Sequence, residues 1–358
     1  MKWIWRIIFT LLLLAGWGAL AYMYANYTLE SPPRDEVVTV EIQPKTSIKE
    51  IGNLLEKQKL IRKSTFFQYY VGYYDKTNLQ AGIYDIQPTD SLDDMLQKFS
   101  KGSQDLVRVT IPEGHNVLQI AEVLEKKGYD GEGFLQALKD RKAKYPFEQK
   151  IGENKERYYR LEGYLFPSTY QFRKDEKPEA IVDAMLGQFQ KQVDQLEAEK
   201  SFAGFPYLEG MDMDQWVTVA SMVEEESQAE QEYSKIAGVI YNRLNGSADD
   251  QKLRIDATVA FAGEMQGKKG VRSNIHNERK LSNPYNSYLN RGLPPGPIAN
   301  PGAKALRAAL NPDQHKYKYY VTKSDCTNEH YFSETYTQHN KYIQQSNLNA
   351  RNIKCDAK

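Results

Sequence analysis

Apolar positions along this chain fall into runs of different period, and each period predicts a different element. Trp3 to Tyr24 holds about twenty mostly apolar residues, the length that crosses a bilayer. Lys2 and Arg6 lie on its amino side, and Trp3, Trp5, Tyr22 and Tyr24 mark its ends. That asymmetry predicts a single membrane helix with its N-terminus in the cytoplasm and the rest of the chain outside. A cleaved signal peptide is the alternative, with Ala19, Ala21 and Ala25 as small residues for a peptidase. No cysteine lies near the segment, which excludes a lipoprotein anchor.

After a short linker at Ser31 to Glu36, the period drops to two in VVTVEI, a strand. Ile48, Ile51, Leu54, Leu55 and Leu60 then recur near helical spacing, with Ser47 and Glu50 forming a capping box. STFFQYYVGYY reads as a second helix, LQAGIYDI as a strand, and SLDDMLQKFSKG as a helix stopped at Gly102. This β-α-α-β-α order predicts a small module in which no residues converge on chemistry. VRVTI opens a further strand, PEG a turn, and Val117 to Leu124 an amphipathic helix, where IAEVLEKKG faintly echoes the earlier IGNLLEKQK. His115 in that turn reads as structural. Gly131 to Arg160 reads as polar helix, Leu161 to Phe172 as an apolar, aromatic stretch with Glu162 isolated inside it, and PEAIVDAMLGQFQKQVDQL as another helix.

The stretch Val217 to Leu244 carries the sharpest contrast. Trp216, Val217, Val219, Ala220, Met222 and Val223 are apolar nearly all round, and Asp214 is the expected N-cap. Glu224, Glu225 and Glu226 follow at once. At most one or two of them continue the buried stripe, because Glu224 and Glu226 face differently on a helix. A carboxylate at the edge of an apolar wall is desolvated and its pKa rises, which is what a general acid needs near neutrality. The plain alternative is three ordinary glutamates on a solvated face. Ile236, Val239, Ile240 and Leu244 extend a second helical stripe. Asn283 to Gly302 reads as a rigid polar loop able to line a sugar subsite, with a helix after it capped at Asn300 and opened by Pro301. KYKYYVT is a strand, and His339 and Asn340 stand at the start of a last helix.

Composition narrows the classes. The 47 basic and 47 acidic residues cancel, so nothing signals a nucleic-acid partner. Tyrosine supplies 25 residues, which suits either sugar-stacking clefts or ordinary strands. Only Cys326 and Cys355 are present, open to a disulfide or to two free thiols, and Cys326, His330 and His339 fit no zinc spacing. No metal and no cofactor is expected.

In order along the chain, TIPEG (Thr110 to Gly114), LEGYLFPSTY (Leu161 to Tyr170), ASMVEEES (Ala220 to Ser227), VIYNRL (Val239 to Leu244), LRIDATVAFA (Leu253 to Ala262), PYNSYLNRGLPPGPIANPG and the His339–Asn340 pair resemble the endolytic murein transglycosylases of the MltG/YceG-like type. The resemblance runs from about Val37 to Gln345. It implies cleavage of peptidoglycan strands between N-acetylmuramic acid and N-acetylglucosamine without water. The muramyl C6 hydroxyl attacks its own anomeric carbon and leaves a 1,6-anhydro end. One carboxyl group serves as acid and then base, which relaxes the two-carboxylate requirement of ordinary glycosidases. The second glutamate of the family's V-E-x-E motif is Glu226 here, the implied catalytic residue. Glu224 matches the first, in a supporting role, and Glu225 fills a variable position expected to face solvent. Asn286, Ser287 and Tyr288 match a tyrosine-bearing cleft loop and are implied substrate contacts. Asp256, Asn242, Arg243 and His339 match further motif positions, and the first three of these are open to a structural role. Ala257 departs from the family, which usually has proline after the aspartate.

The resulting expectation is an α+β chain with four parts. These are a cytoplasmic tip and transmembrane helix (1–30), a glycan-binding LysM-like module (31–106), a YceG-like catalytic domain (107–348) and a C-terminal tail (349–358). It would be a single-pass protein of the bacterial cytoplasmic membrane, acting on peptidoglycan outside it, beside wall synthases of elongation or division. Two rivals stand beside this reading. A hydrolytic muramidase would use Glu224 or Asp256 as its second carboxylate. A non-catalytic glycan-binding scaffold would leave Glu226 replaceable.

Overall fold

The computed structural model describes residues 2–29, 31–43, 45–102, 106–197, 210–226 and 229–353. The chain is a mixed α+β protein with two compact units, residues 1–107 and 108–358.

The first unit holds α1 (Lys2–Leu29), β1 (Val38–Ile42), α2 (Ile48–Lys57), α3 (Ser64–Tyr73), β2 (Gly82–Ile86) and α4 (Leu92–Lys101). The two strands pair antiparallel, with Val38 opposite Ile86 and Ile42 opposite Gly82. Alternation buries Val40 and Ile42 against Ile51, Leu55, Phe67, Val71, Met95 and Phe99, which come from the apolar stripes of the three helices. Ser47 and Glu50 cap α2 reciprocally, and Gly102, at φ +82°, stops α4.

The N-terminal expectation is corrected here. Among the described residues, no helix is long and apolar enough to cross a membrane. A crossing takes about 20 apolar residues. Neither the transmembrane helix nor the single-pass, inside-facing placement in the cytoplasmic membrane is retained.

The second unit is entered through β3 (Leu106–Thr110), which pairs with β4 (Thr169–Arg173). Between these strands lie α5 (Val117–Lys126) and α6 (Gly131–Asp140). Helices α7 (Pro178–Glu197), α8 (Met213–Glu226), α9 (Tyr233–Leu244), α10 (Asp256–Met265), the short α11 (Ile275–Glu278) and α12 (Ala303–Leu310) follow, then the hairpin of β5 (Tyr319–Thr322) and β6 (His330–Ser333), and α13 (Tyr336–Asn352). Helix α8 is the spine: every residue from Trp216 to Val223 is buried, packed against α12 and α9. The Trp216 indole donates to the Leu306 carbonyl at 2.9 Å, which locks α8 to α12.

Three local readings change. Regular helix ends at Asp140, and residues 141–160 hold only a 3₁₀ turn at Pro146–Lys150, because Glu148 is buried and ties Arg141 and the Lys144 and Tyr145 backbone into a loop. Asp212 rather than Asp214 caps α8, accepting from Gln215 N at 2.8 Å, while Asp214 takes the Tyr164 hydroxyl and Arg157. Helix α12 begins at Ala303 after Gly302, and the fully buried Asn300 is a hub instead of a cap. It accepts from Leu165 N at 2.8 Å and donates to the His115 carbonyl and to Glu162.

Candidate active site

The three glutamates are the last three residues of α8, where the buried part of the helix emerges into a cleft. Two cavities of about 600 and 590 Å³ meet there. Glu226, Thr322 and His330 line both. One lobe is acidic, with Glu113, Glu224, Glu225, Tyr233 and Arg272. The other is aromatic and basic, with Asp256, Arg279, Tyr288, Tyr319, Arg243 and His339.

Glu226 is partly buried, and its Oε2 accepts from the Tyr320 hydroxyl at 2.6 Å. Burial pushes its pKa up to about 7, with the Asp256 and Glu225 charges adding to the rise. Bonds from Tyr320 and from the Ala257 N–H, in the first turn of α10, hold it from rising further. Burial and the neighbouring Glu226 charge keep the Tyr320 hydroxyl protonated well beyond its ordinary range, so it stays a donor.

Asp256 opens α10, and Arg279 grips it in a two-point bond at 2.9 and 2.8 Å. The Tyr288 hydroxyl donates to the same carboxylate at 2.8 Å, and the Arg279 guanidinium lies 4.8 Å from the Tyr288 ring centre. This carboxylate is therefore engaged on both oxygens.

In the acidic lobe, Glu224 accepts from Gly302 N at 2.9 Å and from the Tyr233 hydroxyl at 3.1 Å. Burial raises its pKa to about 7, opposed by the Gly302 N–H and reinforced by the Glu113 charge. Glu225, expected to face solvent, instead pairs with Arg272 at 2.7 Å with its side chain only 11% exposed. Arg272 bridges it to Glu264, which also accepts from Asn116. Gly114 of the PEG turn sits against this pair with φ +78°, and a Cβ there would lie 2.9 Å from Glu225 Oε1. Behind it, burial pushes Glu162 up to about 8 despite bonds from Val117 N and Asn300.

Strand pairing explains the third wall. Tyr320 stands opposite Phe332 and Thr322 opposite His330 in the β5–β6 hairpin. Alternation puts these four side chains on one face, the one turned to Glu226. Tyr331 stacks on Tyr342 of α13 on the other.

Of the residues singled out in the sequence, Glu226, Asp256, Tyr288, Arg243 and His339 come together in one lobe, with Glu224 across Glu226 in the other. Asn242, Asn286 and Ser287 line neither lobe. Asn242 donates to the carbonyls of His315 and Tyr317. Asn286 is wholly buried and bonds the Arg279 and Leu281 carbonyls, and Ser287 bonds Ile255 N and Thr258. Arg243 spends its guanidinium on the Asp250, Lys252 and Lys318 carbonyls. His339 lies over Tyr319 at 5.3 Å. Tyr320, Arg279, Glu113, Tyr233, Arg272 and His330 are cleft residues that the sequence reading did not assign; a tyrosine two positions from Thr322 on one strand face was the available signal for the first. No group of three or more His, Cys, Asp or Glu among the described residues is arranged to hold a metal ion. Cys326 is disulfide-bonded, and Cys355 lies outside the described residues.

Comparison with known proteins agrees with the motif order. A Bacillus subtilis (strain 168) protein named endolytic murein transglycosylase is 33% identical over 333 residues, covering 90% of this chain and 88% of its own length. A protein of the same name from Streptococcus pneumoniae (serotype 2, strain D39) is 32% identical over 346 residues, 88% of this chain, which spans 60% of that relative. The crystal structure of a YceG-like protein from Listeria monocytogenes aligns with a TM-score of 0.54 and 31% identity, over 86% of this chain and 99% of its own. With the model of the YceG-like family matching residues 40–345, the chain belongs to that family.

Proposed function

We propose that this chain is an endolytic lytic transglycosylase of peptidoglycan in which Glu226 acts first as acid and then as base. Relatives named endolytic murein transglycosylase support the enzyme class and the substrate. The observation that carries the mechanism is the position of Glu226, the carboxyl that lines both lobes, with its pKa raised to about 7 as that of Glu224 is in the acidic lobe alone. Protonated, it donates to the glycosidic oxygen as the bond to the muramyl anomeric carbon breaks. Ionised, it takes the proton of the C6 hydroxyl as that oxygen bonds the anomeric carbon, closing the 1,6-anhydro ring. Proton and electron pair both balance, and no water enters.

A hydrolytic mechanism needs a second free carboxylate. Asp256 is held by Arg279 and Tyr288, and Glu224 by Gly302 N and Tyr233, so both stand as supports for Glu226. Tyr288, His339 and Tyr319 offer stacking and hydrogen-bonding surface to sugar rings in the aromatic lobe. Residues 31–106 serve as the LysM-like glycan-binding module and 107–348 as the catalytic domain, and wall synthases are the partners the family resemblance implies.

The test is mass spectrometry of strands digested by the wild type beside Glu226→Gln. Anhydromuramyl ends from the wild type and none from the folded variant are expected. Reducing ends would overturn the mechanism in favour of hydrolysis, and strand binding with no products from either protein would favour a scaffold.

A further inference from the structure

His330 plays no part in the reaction as written, yet only Glu226 and Thr322 share its position on both lobes. It is 8% exposed, too buried for an incidental surface residue. Its Nδ1 lies 2.8 Å from Glu232 Oε2, and its own backbone N–H reaches both Glu232 oxygens at 3.2 and 3.1 Å. A carboxylate facing these donors only accepts, so Nδ1 carries a proton, and in the neutral ring Nε2 keeps its lone pair. No described residue hydrogen-bonds that second nitrogen. The ring is also fixed edge-on to Tyr320, 5.5 Å between centres, and Tyr320 is the residue that holds Glu226. The imidazole is thus held in one tautomer and one orientation, as catalytic and binding histidines are when a carboxylate stands behind them.

We propose that His330 is a substrate-contacting residue at the cleavage point, accepting a hydrogen bond from a sugar hydroxyl through Nε2, with Glu232 as its positioning residue. The inference rests on the reading that Glu226 marks the cleaved bond. The strand crosses from one lobe to the other past the three residues common to both, so a hydroxyl-bearing ring beside the scissile oxygen meets the free acceptor of His330. Glu226 keeps both of its proton-transfer roles, and His330 holds the ring in place for them.

Two substitutions separate this role from a purely structural tie. His330→Asn keeps a donor near the Nδ1 position for Glu232 and loses the acceptor at Nε2. His330→Gln keeps an acceptor near Nε2 and loses the Nδ1 donor. Substrate contact predicts that His330→Asn, folded with a Tm near that of the wild type, loses about 10-fold in kcat/KM and that His330→Gln retains more activity. A structural tie predicts the reverse order, and wild-type kcat/KM in His330→Asn would overturn the proposal. Binding of intact strands is measured by titration calorimetry to Glu226→Gln and to Glu226→Gln/His330→Asn. This reads the contact without turnover: several-fold weaker binding by the double variant supports the contact and equal binding refutes it. Failure of the transglycosylase reading shows separately, in the ends that the wild type produces.

Discussion

The raised pKa of Glu226 implies that its ionised form destabilises the fold, and Glu226→Gln measures by how much. Below pH 4.5, the ordinary value for a glutamate, folded and unfolded chains both hold the proton and the group contributes nothing to the difference. Between 4.5 and about 7 the unfolded chain releases the proton while the folded chain keeps it. The folded state then binds more protons, so stability falls as pH rises and the loss is complete above about 7. At ~1.4 kcal/mol per pH unit the gap is worth about 3 kcal/mol, reduced by the solvent that reaches the cleft. Glutamine lacks the ionisation and can still accept from Tyr320. Thermal unfolding followed by circular dichroism should therefore give similar Tm values for the two proteins at pH 4. At pH 8 the variant should melt roughly 5 °C higher, since each kcal/mol moves a unit of this size by ~2–4 °C. Glu224 and Glu162 titrate in the same direction but are common to both proteins and cancel. A Tm difference that does not change between pH 4 and pH 8 would refute the argument that burial sets the Glu226 pKa.

Three further outcomes follow from the same contacts. Tyr320→Phe removes a donor to the ionised carboxylate, so the alkaline limb of the kcat/KM profile should move up by roughly half to one pH unit; an unmoved limb would count against the contact. Ala257→Pro fits the first turn of α10 but deletes the N–H that reaches Glu226, and should move the same limb the same way, read from the same pH–rate measurement. Gly114→Ala forces a left-handed residue against Glu225 and should cost about 1–2 kcal/mol, visible as a lower Tm, with a loss of cleavage because Glu225 and Glu224 are displaced.

Local signals were readable wherever a side chain acts on its own neighbourhood. Ser47 with Glu50 opens α2 through contacts three residues long, and Gly102 ends α4 through its own positive φ. The same logic names Asp214 as the cap of α8, because the sequence does not show that Tyr164 and Arg157 claim Asp214 from about fifty residues away. It made Asn300 a cap, because its partners His115 and Glu162 are distant in the chain. Glu225 read as solvent-facing for that reason too, its partner Arg272 lying 47 positions on. In the cleft, the abrupt change from apolar to acidic is a local pattern that marks Glu224, Glu225 and Glu226 together, and only the resemblance to the V-E-x-E motif singles out Glu226 among them. Tyr320 and His330 carry no such mark, since their positions follow from a hairpin register and a helix 94 residues earlier. The apolar run at Trp3 to Tyr24 shows the opposite error: length and flanking charge were read as a span, which no described helix supports.

The placement of the glutamates looks adverse in sequence, since a helix C-terminus carries partial negative charge and three carboxylates stand on the last three residues of α8. The fold answers with the opposite ends of other helices. The N–H of Gly302, the cap of α12, points at Glu224, and the N–H of Ala257, in the first turn of α10, reaches Glu226. Arg272 takes Glu225. Each carboxylate thus has one donor set that favours its ionised form, set against burial that favours the neutral one, and the two leave Glu226 at about 7 instead of higher. That balance is what a group needs if it must give up a proton and take one back in a single turnover near neutral pH. A stronger donor set would leave a permanent carboxylate unable to protonate the glycosidic oxygen. A drier site would leave a permanent acid unable to accept the C6 hydroxyl proton. Under the proposed mechanism, the conflict between apolar helix and acidic end is what would let one side chain fill both roles.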